Sequence, residues 1–229
     1  MTTNVKLVSY SQAPSSFDPA LADSPQPVMD LVAFCARVSN PSNQMNSETS
    51  EKLIKYLIKN AHWSPLEMVS ICLEVNTTRD IARQLIRHRS FSFQEFSQRY
   101  ADPVKELEFV FRDARLQDEK NRQNSIELDT DSEEHQHLEK IWRLCQENVL
   151  EEVKKSYKWA IENGIAKEQA RAILPEGLTK SRLYVNGTLR SWVHYIELRS
   201  ENGTQLEHIE IAKECAKVIS EIFPLDKIQ

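Results

Sequence analysis

Residues 68–89 read MVSICLEVNTTRDIARQLIRHR. In the first part, Val69, Ile71, Leu73 and Val75 fall on one side and Ser70, Cys72 and Glu74 on the other. A period of two with β-branched apolar residues predicts a half-buried strand over 68–76. Thr77 or Thr78 then stands where a helix wants an N-cap, with Asp80 in the first turn at the positive end of the helix dipole. Ile81, Ala82, Leu85 and Ile86 recur at helical spacing, which predicts a helix running to about Arg89. A strand passing directly into a helix, each with one apolar face, calls for a sheet packed on helices.

Outward from this stretch, Val5 to Tyr10 predicts a short strand. Residues 11–27, rich in Ser, Pro and Ala, read as a loop. Val28 to Val38 predicts a buried helix stopped ahead of Asn40-Pro41, and Ser47 to Asn60 an amphipathic helix with Glu48 and Glu51 at its start. Residues 113–133 are polar and charge-dense, and read as a loop. A long helix follows from Glu134 to Asn163. Its apolar stripe is Leu138, Ile141, Trp142, Cys145, Val149, Val153, Tyr157 and Ala160, and Gly164 stands at its C-terminal end. A short helix ends at Leu174-Pro175 and another spans Val185 to Arg199. The last opens with a capping box, Thr204 and Glu207, and reaches about Phe223. There is no βαβ rhythm, repeat or domain boundary. The expectation is one α+β domain over residues 1–229, a small, mainly antiparallel sheet packed with several helices, one of them long.

Composition narrows the function. With 229 residues, 40% hydrophobic and 28% charged, the chain is long enough to build a core without staples. Cys35, Cys72, Cys145 and Cys215 form no CxxC pair, so they read as free, mostly core thiols in a reducing, cytoplasmic setting. No apolar run approaches the ~20 residues of a membrane helix, and MTTNVKLVSY lacks the pattern of a secretory leader. The glycines are Gly164, Gly177, Gly187 and Gly203, which excludes GxGxxG; GLTKS at 177–181 lacks the second glycine of a P-loop. A net charge of −5 argues against a polyanion binder, so neither nucleic acid nor membrane is expected as a partner.

The charge is unevenly spread. Between residues 79 and 99 lie Arg79, Arg83, Arg87, Arg89 and Arg99, opposed only by Asp80 and Glu95. Arg83 and Arg87 are four apart and repel by a few tenths of a kcal/mol on a helix face. Such a cluster suits a small anion in a pocket, because the guanidinium fork matches phosphate. A solvated basic helix end accounts for Arg87 and Arg89. It accounts poorly for the polar residues interleaved with Phe91, Phe93, Phe96 and Tyr100.

RHRSFSFQEFSQRY, residues 87–100, resembles the signature of flavin-dependent thymidylate synthases, usually RHR-x-x-S-x-N-E-x-S-x-R. Arg87, His88, Arg89, Ser92, Glu95, Ser97 and Arg99 match, and Gln94 stands where Asn is commonest. His62-Trp63-Ser64-Pro65 with Glu67, Arg83-Gln84, Arg171 to Pro175, Thr188 to Arg190, His194 and Arg199 also follow the family's order. The resemblance implies an obligate homotetramer with sites shared between subunits. It implies FAD and dUMP as ligands, methylenetetrahydrofolate as carbon donor and NADPH as reductant. Arg87, His88 and Arg89 would contact FAD, with Ser64, Glu67, Glu95, Thr188, Arg190 and His194 completing its site. Gln84, Arg87, Glu95, Phe96, Ser97, Gln98, Arg99 and Arg171 would surround dUMP. Arg199 matches the arginine that stabilises the ionised uracil ring.

The chemistry of the residues agrees. A cation beside an imide favours its anion. Thr188 and Arg199, eleven apart, face one way on a continuous helix, and Arg190 and His194, four apart, form a neighbouring stripe. Plainer readings stand beside these: Arg199 as a helix-end cation, Ser97 as a nucleophile lacking an adjacent base, and Phe91, Phe93 and Phe96 as core or interface. His135 and His137 read as solvated or as a metal pair. His194 with Glu197 and His208 with Glu210 lack HExxH spacing. No cysteine has a reactive context, so the chemistry expected needs no cysteine nucleophile. Two other classes remain at this level, a nucleotide- or RNA-binding module and an oligomeric helical protein whose polar cluster is an interface.

Overall fold

The alternating stretch forms a strand in the computed structural model, which describes residues 4–224. Strands β1 (Asn4–Tyr10), β2 (Ser70–Thr78), β3 (Phe91–Glu95), β4 (Arg115–Gln117), β5 (Ser125–Glu127) and β6 (Lys180–Thr188) are joined by helices. These are α1 (Pro19–Ala22), α2 (Pro27–Ala36), α3 (Ser50–Lys59), α4 (Arg79–Leu85), α5 (Pro103–Glu106), α6 (Glu133–Glu162), α7 (Lys167–Ala170), α8 (Leu189–Ser200) and α9 (Leu206–Ser220). A four-stranded sheet runs in the order β1-β2-β6-β3, every neighbour antiparallel. The α+β expectation holds.

Val69, Ile71, Leu73 and Val75 are wholly buried, and their side of the sheet packs on α2, α3, α8 and α9 around Trp192. The Trp192 indole N–H donates to the Ile71 carbonyl at 3.0 Å, which satisfies its one polar atom inside the core. A second, small cluster of Tyr157, Ala160, Ala170 and Leu174 ties α6 to α7.

Several expectations are corrected. Helix over Val185–Thr188 is strand instead, because Ser181, Leu183, Val185 and Gly187 alternate buried with exposed neighbours. The helix starts at Leu189, with the Thr188 hydroxyl accepting from the Ser191 amide at 3.2 Å. Thr188 is therefore a cap, and it shares no helical face with Arg199. Helix α4 stops at Leu85, so Arg87–Arg89 lie in a turn and Arg83 does not stack on Arg87. The Thr78 hydroxyl does not cap α4: it donates to Asp80 Oδ1 at 2.5 Å and accepts from Arg112 at 2.7 Å. The 11–27 loop contains α1, and the polar 113–133 segment contains the β4–β5 hairpin.

The Thr204–Glu207 capping box does not form, since α9 begins at Leu206 and ion pairs from Arg112 and Arg115 claim the Glu207 carboxylate. Only part of the α6 stripe is buried: Tyr157 and Ala160 are covered, while Leu138, Ile141, Trp142, Cys145 and Val149 are exposed. The thiols are mixed rather than mostly core; Cys215 is buried, Cys35 and Cys72 half-buried and Cys145 exposed.

Candidate functional site

The five residues of β3 divide the basic motif. Extended chain rises about 3.3 Å per residue, so roughly 15 Å separates Arg87–Arg89 from Glu95–Arg99. The two halves serve two places.

At the first, Arg199 near the end of α8 donates through Nε to His88 Nε2 at 2.9 Å. A ring nitrogen accepting that bond carries no proton, so His88 is neutral with its hydrogen on Nδ1. Burial, then the Arg199 charge, lowers the His88 pKa below its ordinary value, which agrees. The His88 ring meets Tyr195 edge-on, centroids 5.0 Å apart. Gln84, from α4, donates to Gln205 at 2.8 Å. Arg87 and Arg89 are exposed, and among the described residues their guanidinium groups meet no acceptor.

Around the start of α8, Arg190 is ion-paired with Glu67 from the 3₁₀ turn Ser64–Met68. The His194 ring packs tilted against Trp63, centroids 4.3 Å apart, and its Nδ1 lies 3.7 Å from Glu197. Exposed Ser64 opens the same turn. The Ser191 hydroxyl bridges Thr188 to the Ser90 carbonyl, which holds this group beside the Arg87–Arg89 turn. Ser64, Glu67, Thr188, Arg190 and His194 are thus brought together around the start of α8.

At the other end of β3 is a cleft of about 500 Å³ lined by Arg79, Arg83, Gln98, Glu168, Arg171 and Glu176, among others. Arg79 pairs with Glu95 at 3.1 Å, and the Ser181 hydroxyl donates to the same carboxylate at 2.7 Å. Arg83 pairs with Glu176 at 2.6 Å, and Arg99 approaches Glu168 at 3.5 Å. Arg171 donates to the Glu168 carbonyl at 3.3 Å. The Arg83 and Arg99 pairs are solvent-exposed, so they are worth little and an incoming anion displaces them cheaply. Phe96 and Ser97 are half-buried; the Phe96 amide donates to the Arg182 carbonyl at 2.9 Å and so fixes the end of β3.

Gln98 is 3% exposed, and its Nε2 has no hydrogen-bond partner. A buried unmet donor costs about 1–3 kcal/mol. An acceptor on a ligand in the cleft removes that cost.

Two kinds of residue escaped the sequence reading. Arg79 and Arg83 line the cleft; the arginine cluster marks them for an anion, but their partners Glu168, Arg171 and Glu176 lie far along the chain, so their place in a site is not visible locally. His208 and Gln205 flank Gln84, with Tyr195 behind His208, and nothing local distinguishes a histidine on an apolar helix face from an ordinary core residue. Of the arginines expected to converge, Arg99 and Arg171 meet at Glu168 and Arg199 joins His88. No contact among the described residues links the two groups.

Residues 21–225 match the family model described as Thymidylate synthase complementing protein. The chain is 49% identical over 195 residues to a probable flavin-dependent thymidylate synthase of Paramecium bursaria Chlorella virus 1, covering 85% of this chain and 87% of the relative. It is 46% identical over 194 residues to the flavin-dependent thymidylate synthase of Synechocystis sp., covering 85% of each. Among solved structures, the UMP/dUMP methylase PolB from Streptomyces cacaoi, bound with 5-Br dUMP, superposes with a TM-score of 0.76 at 25% identity. The match covers 98% of this chain and 93% of that one.

Proposed function

The chain belongs to the flavin-dependent thymidylate synthase family, and on that footing we propose that it methylates dUMP to dTMP with FAD, taking the carbon from methylenetetrahydrofolate and reducing power from NADPH. The observation that carries the nucleotide assignment is the buried, unpartnered Gln98 amide in a cleft ringed by Arg79, Arg83 and Arg171. Arginine forks suit a phosphate, and Gln98 supplies a neutral donor beside them.

The flavin residues also fit their group. Arg87 and Arg89 carry unpaired charge beside His88, Thr188, Arg190 and His194, where an anionic cofactor would be held. When bound, reduced FAD would supply the hydride that completes the methyl group. The protein's part is to bind, orient and polarise. Arg199 spends Nε on His88, which leaves both Nη groups for the pyrimidine. Half-buried, its charge acts through less solvent than a surface charge and favours the ionised imide. Burial raises the Cys35, Cys72 and Cys215 thiols away from thiolate reactivity, in keeping with a route that needs no cysteine nucleophile.

The split motif supports a homotetramer with shared sites. A strand that holds its two ends roughly 15 Å apart cannot wrap both around one nucleotide ring within one chain. A second copy supplies the missing side, and the exposed α6 stripe offers it an apolar face. We take residues 1–229 as one domain, working in the cytoplasm. No helix among the described residues is long and apolar enough to cross a membrane.

The test is direct. The purified protein should be yellow, release FAD on denaturation and form dTMP from dUMP, methylenetetrahydrofolate and NADPH. A colourless protein that FAD cannot reconstitute overturns the assignment. Arg199→Ala should keep its flavin while dTMP formation falls by orders of magnitude; near-normal turnover refutes the role given to Arg199.

A further inference from the structure

Behind His88 lies a row of polar side chains that ligand binding alone does not explain. His208 is wholly buried on the face of α9 that otherwise carries Ile211, Ala212 and Cys215. Its Nε2 is 3.2 Å from the Tyr195 hydroxyl, and its Nδ1 is 3.2 Å from Gln84 Oε1. Gln84 Nε2 donates to Gln205 Oε1 at 2.8 Å, and Gln205 Nε2 donates to Glu207 Oε2 at 2.9 Å. Arg112, at 3.0 Å, and Arg115, at 2.5 Å, hold Glu207.

The row runs one way. Burial pushes the Glu207 carboxyl up, but Arg112, Gln205 and Arg115 help to outweigh it and keep the group below the usual carboxylate range. An ionised carboxylate only accepts. Gln205 must therefore turn its nitrogen to Glu207 and its oxygen to Gln84. Gln84 in turn aims nitrogen at Gln205 and oxygen at His208, so the His208 proton sits on Nδ1. Nε2 of the neutral ring then accepts from the Tyr195 hydroxyl. The reverse order would set the Gln205 carbonyl against a carboxylate, two acceptors face to face. Burial, then the Arg199 charge, depresses the His208 pKa to about 3, which keeps the ring neutral.

We propose that His208 is a positioning residue for Gln84: anchored by Glu207, the row locks the Gln84 carboxamide so that its remaining N–H faces the pyrimidine nucleotide as a donor only. This rests on the reading of Gln84 as a nucleotide contact. A freely flipping amide offers a donor or an acceptor to a ring; a locked one favours a ring carbonyl over a ring amino group, and hence uracil over cytosine.

Two measurements on the FAD-loaded enzyme test this. Long-range ¹H–¹⁵N spectra of labelled histidines, with the His208 signals assigned by their loss in His208→Gln, should show a neutral ring protonated on Nδ1. A ring protonated on Nε2, or on both nitrogens, at pH 7 overturns the row. Calorimetric titration with dUMP should give a Kd about tenfold higher in His208→Leu, with unchanged flavin absorbance and no further loss when Gln84→Ala is already present. The ratio of dCMP to dUMP affinity should rise in the same variant. If His208→Leu does not fold, His208→Gln replaces it in the cycle. An unchanged dUMP Kd in Gln84→Ala removes Gln84 from the nucleotide site, and this assignment with it. A weakened Kd there, beside a wild-type Kd in the His208 variant, overturns the positioning role alone.

Discussion

Arg199 and His88, from the end of one helix and the turn after another, share a 2.9 Å hydrogen bond in which the arginine gives and the imidazole receives. The bond fixes the ring's tautomer and the direction of the guanidinium together. Arg199→Lys keeps the charge but removes the planar fork. We expect FAD to remain bound and kcat for dTMP formation to fall roughly 10–100-fold, the scale of a small misplacement of a catalytic group. Steady-state kinetics beside the flavin spectrum checks this; wild-type kcat would show that charge alone suffices.

Acid should destabilise the fold through buried His208 and half-buried His88. His208 is held at about 3 in the folded chain against 6.5 when free. Between those values the unfolded chain binds a proton that the folded chain refuses. The contribution of neutral His208 is therefore complete above about pH 6.5 and is lost as pH falls toward 3, by up to about 1.4 kcal/mol per pH unit. His88 shifts in the same direction. Denaturation from pH 7 to pH 4.5 should show a shallower loss in His208→Gln than in the wild type; parallel slopes would contradict the assignment.

Gly187 lies in β6 between Ile71 on one neighbour and Phe91 on the other. A Cβ built there runs into the Phe91 ring, with Cε1 at 2.6 Å. Phe91 packs on Trp192 and near His88, so its displacement disturbs core and site together. Gly187→Ala should cost about 1–3 kcal/mol, the usual penalty of overpacking. Chemical denaturation measures it, and a change under half a kcal/mol would mean that the ring moves aside freely.

Gln98 separates binding from folding. Because its amide is buried without a partner, Gln98→Leu gives up no hydrogen bond in the free chain. Folding stability should hold or rise by up to about 1 kcal/mol, while dUMP binding weakens roughly tenfold. Thermal melts with dUMP titration resolve the two effects; loss of stability without loss of affinity would place the amide's partner within the protein.

What could be read along the chain was local. The alternation in β2, the periodicity of α3 and α6 and the glycine after α6 depend on residues within a few positions of one another, and all are where the pattern put them. The motif from Arg87 to Tyr100 carried the family in the same way, because its chemistry is written in consecutive residues. Where local preference met a distant partner, the partner won. Glu207 has the spacing of a capping box, but Arg115, 92 residues away in sequence, takes its carboxylate, since a charged pair inside the protein outweighs a terminal amide. Val185–Gly187 extends because β2 and β3 flank it on both sides, and β2 alone carries Thr188. The partition of one motif between two sites follows from strand geometry, and the histidine behind Gln84 from the meeting of three helices; neither relation exists until the sheet and its helices have assembled.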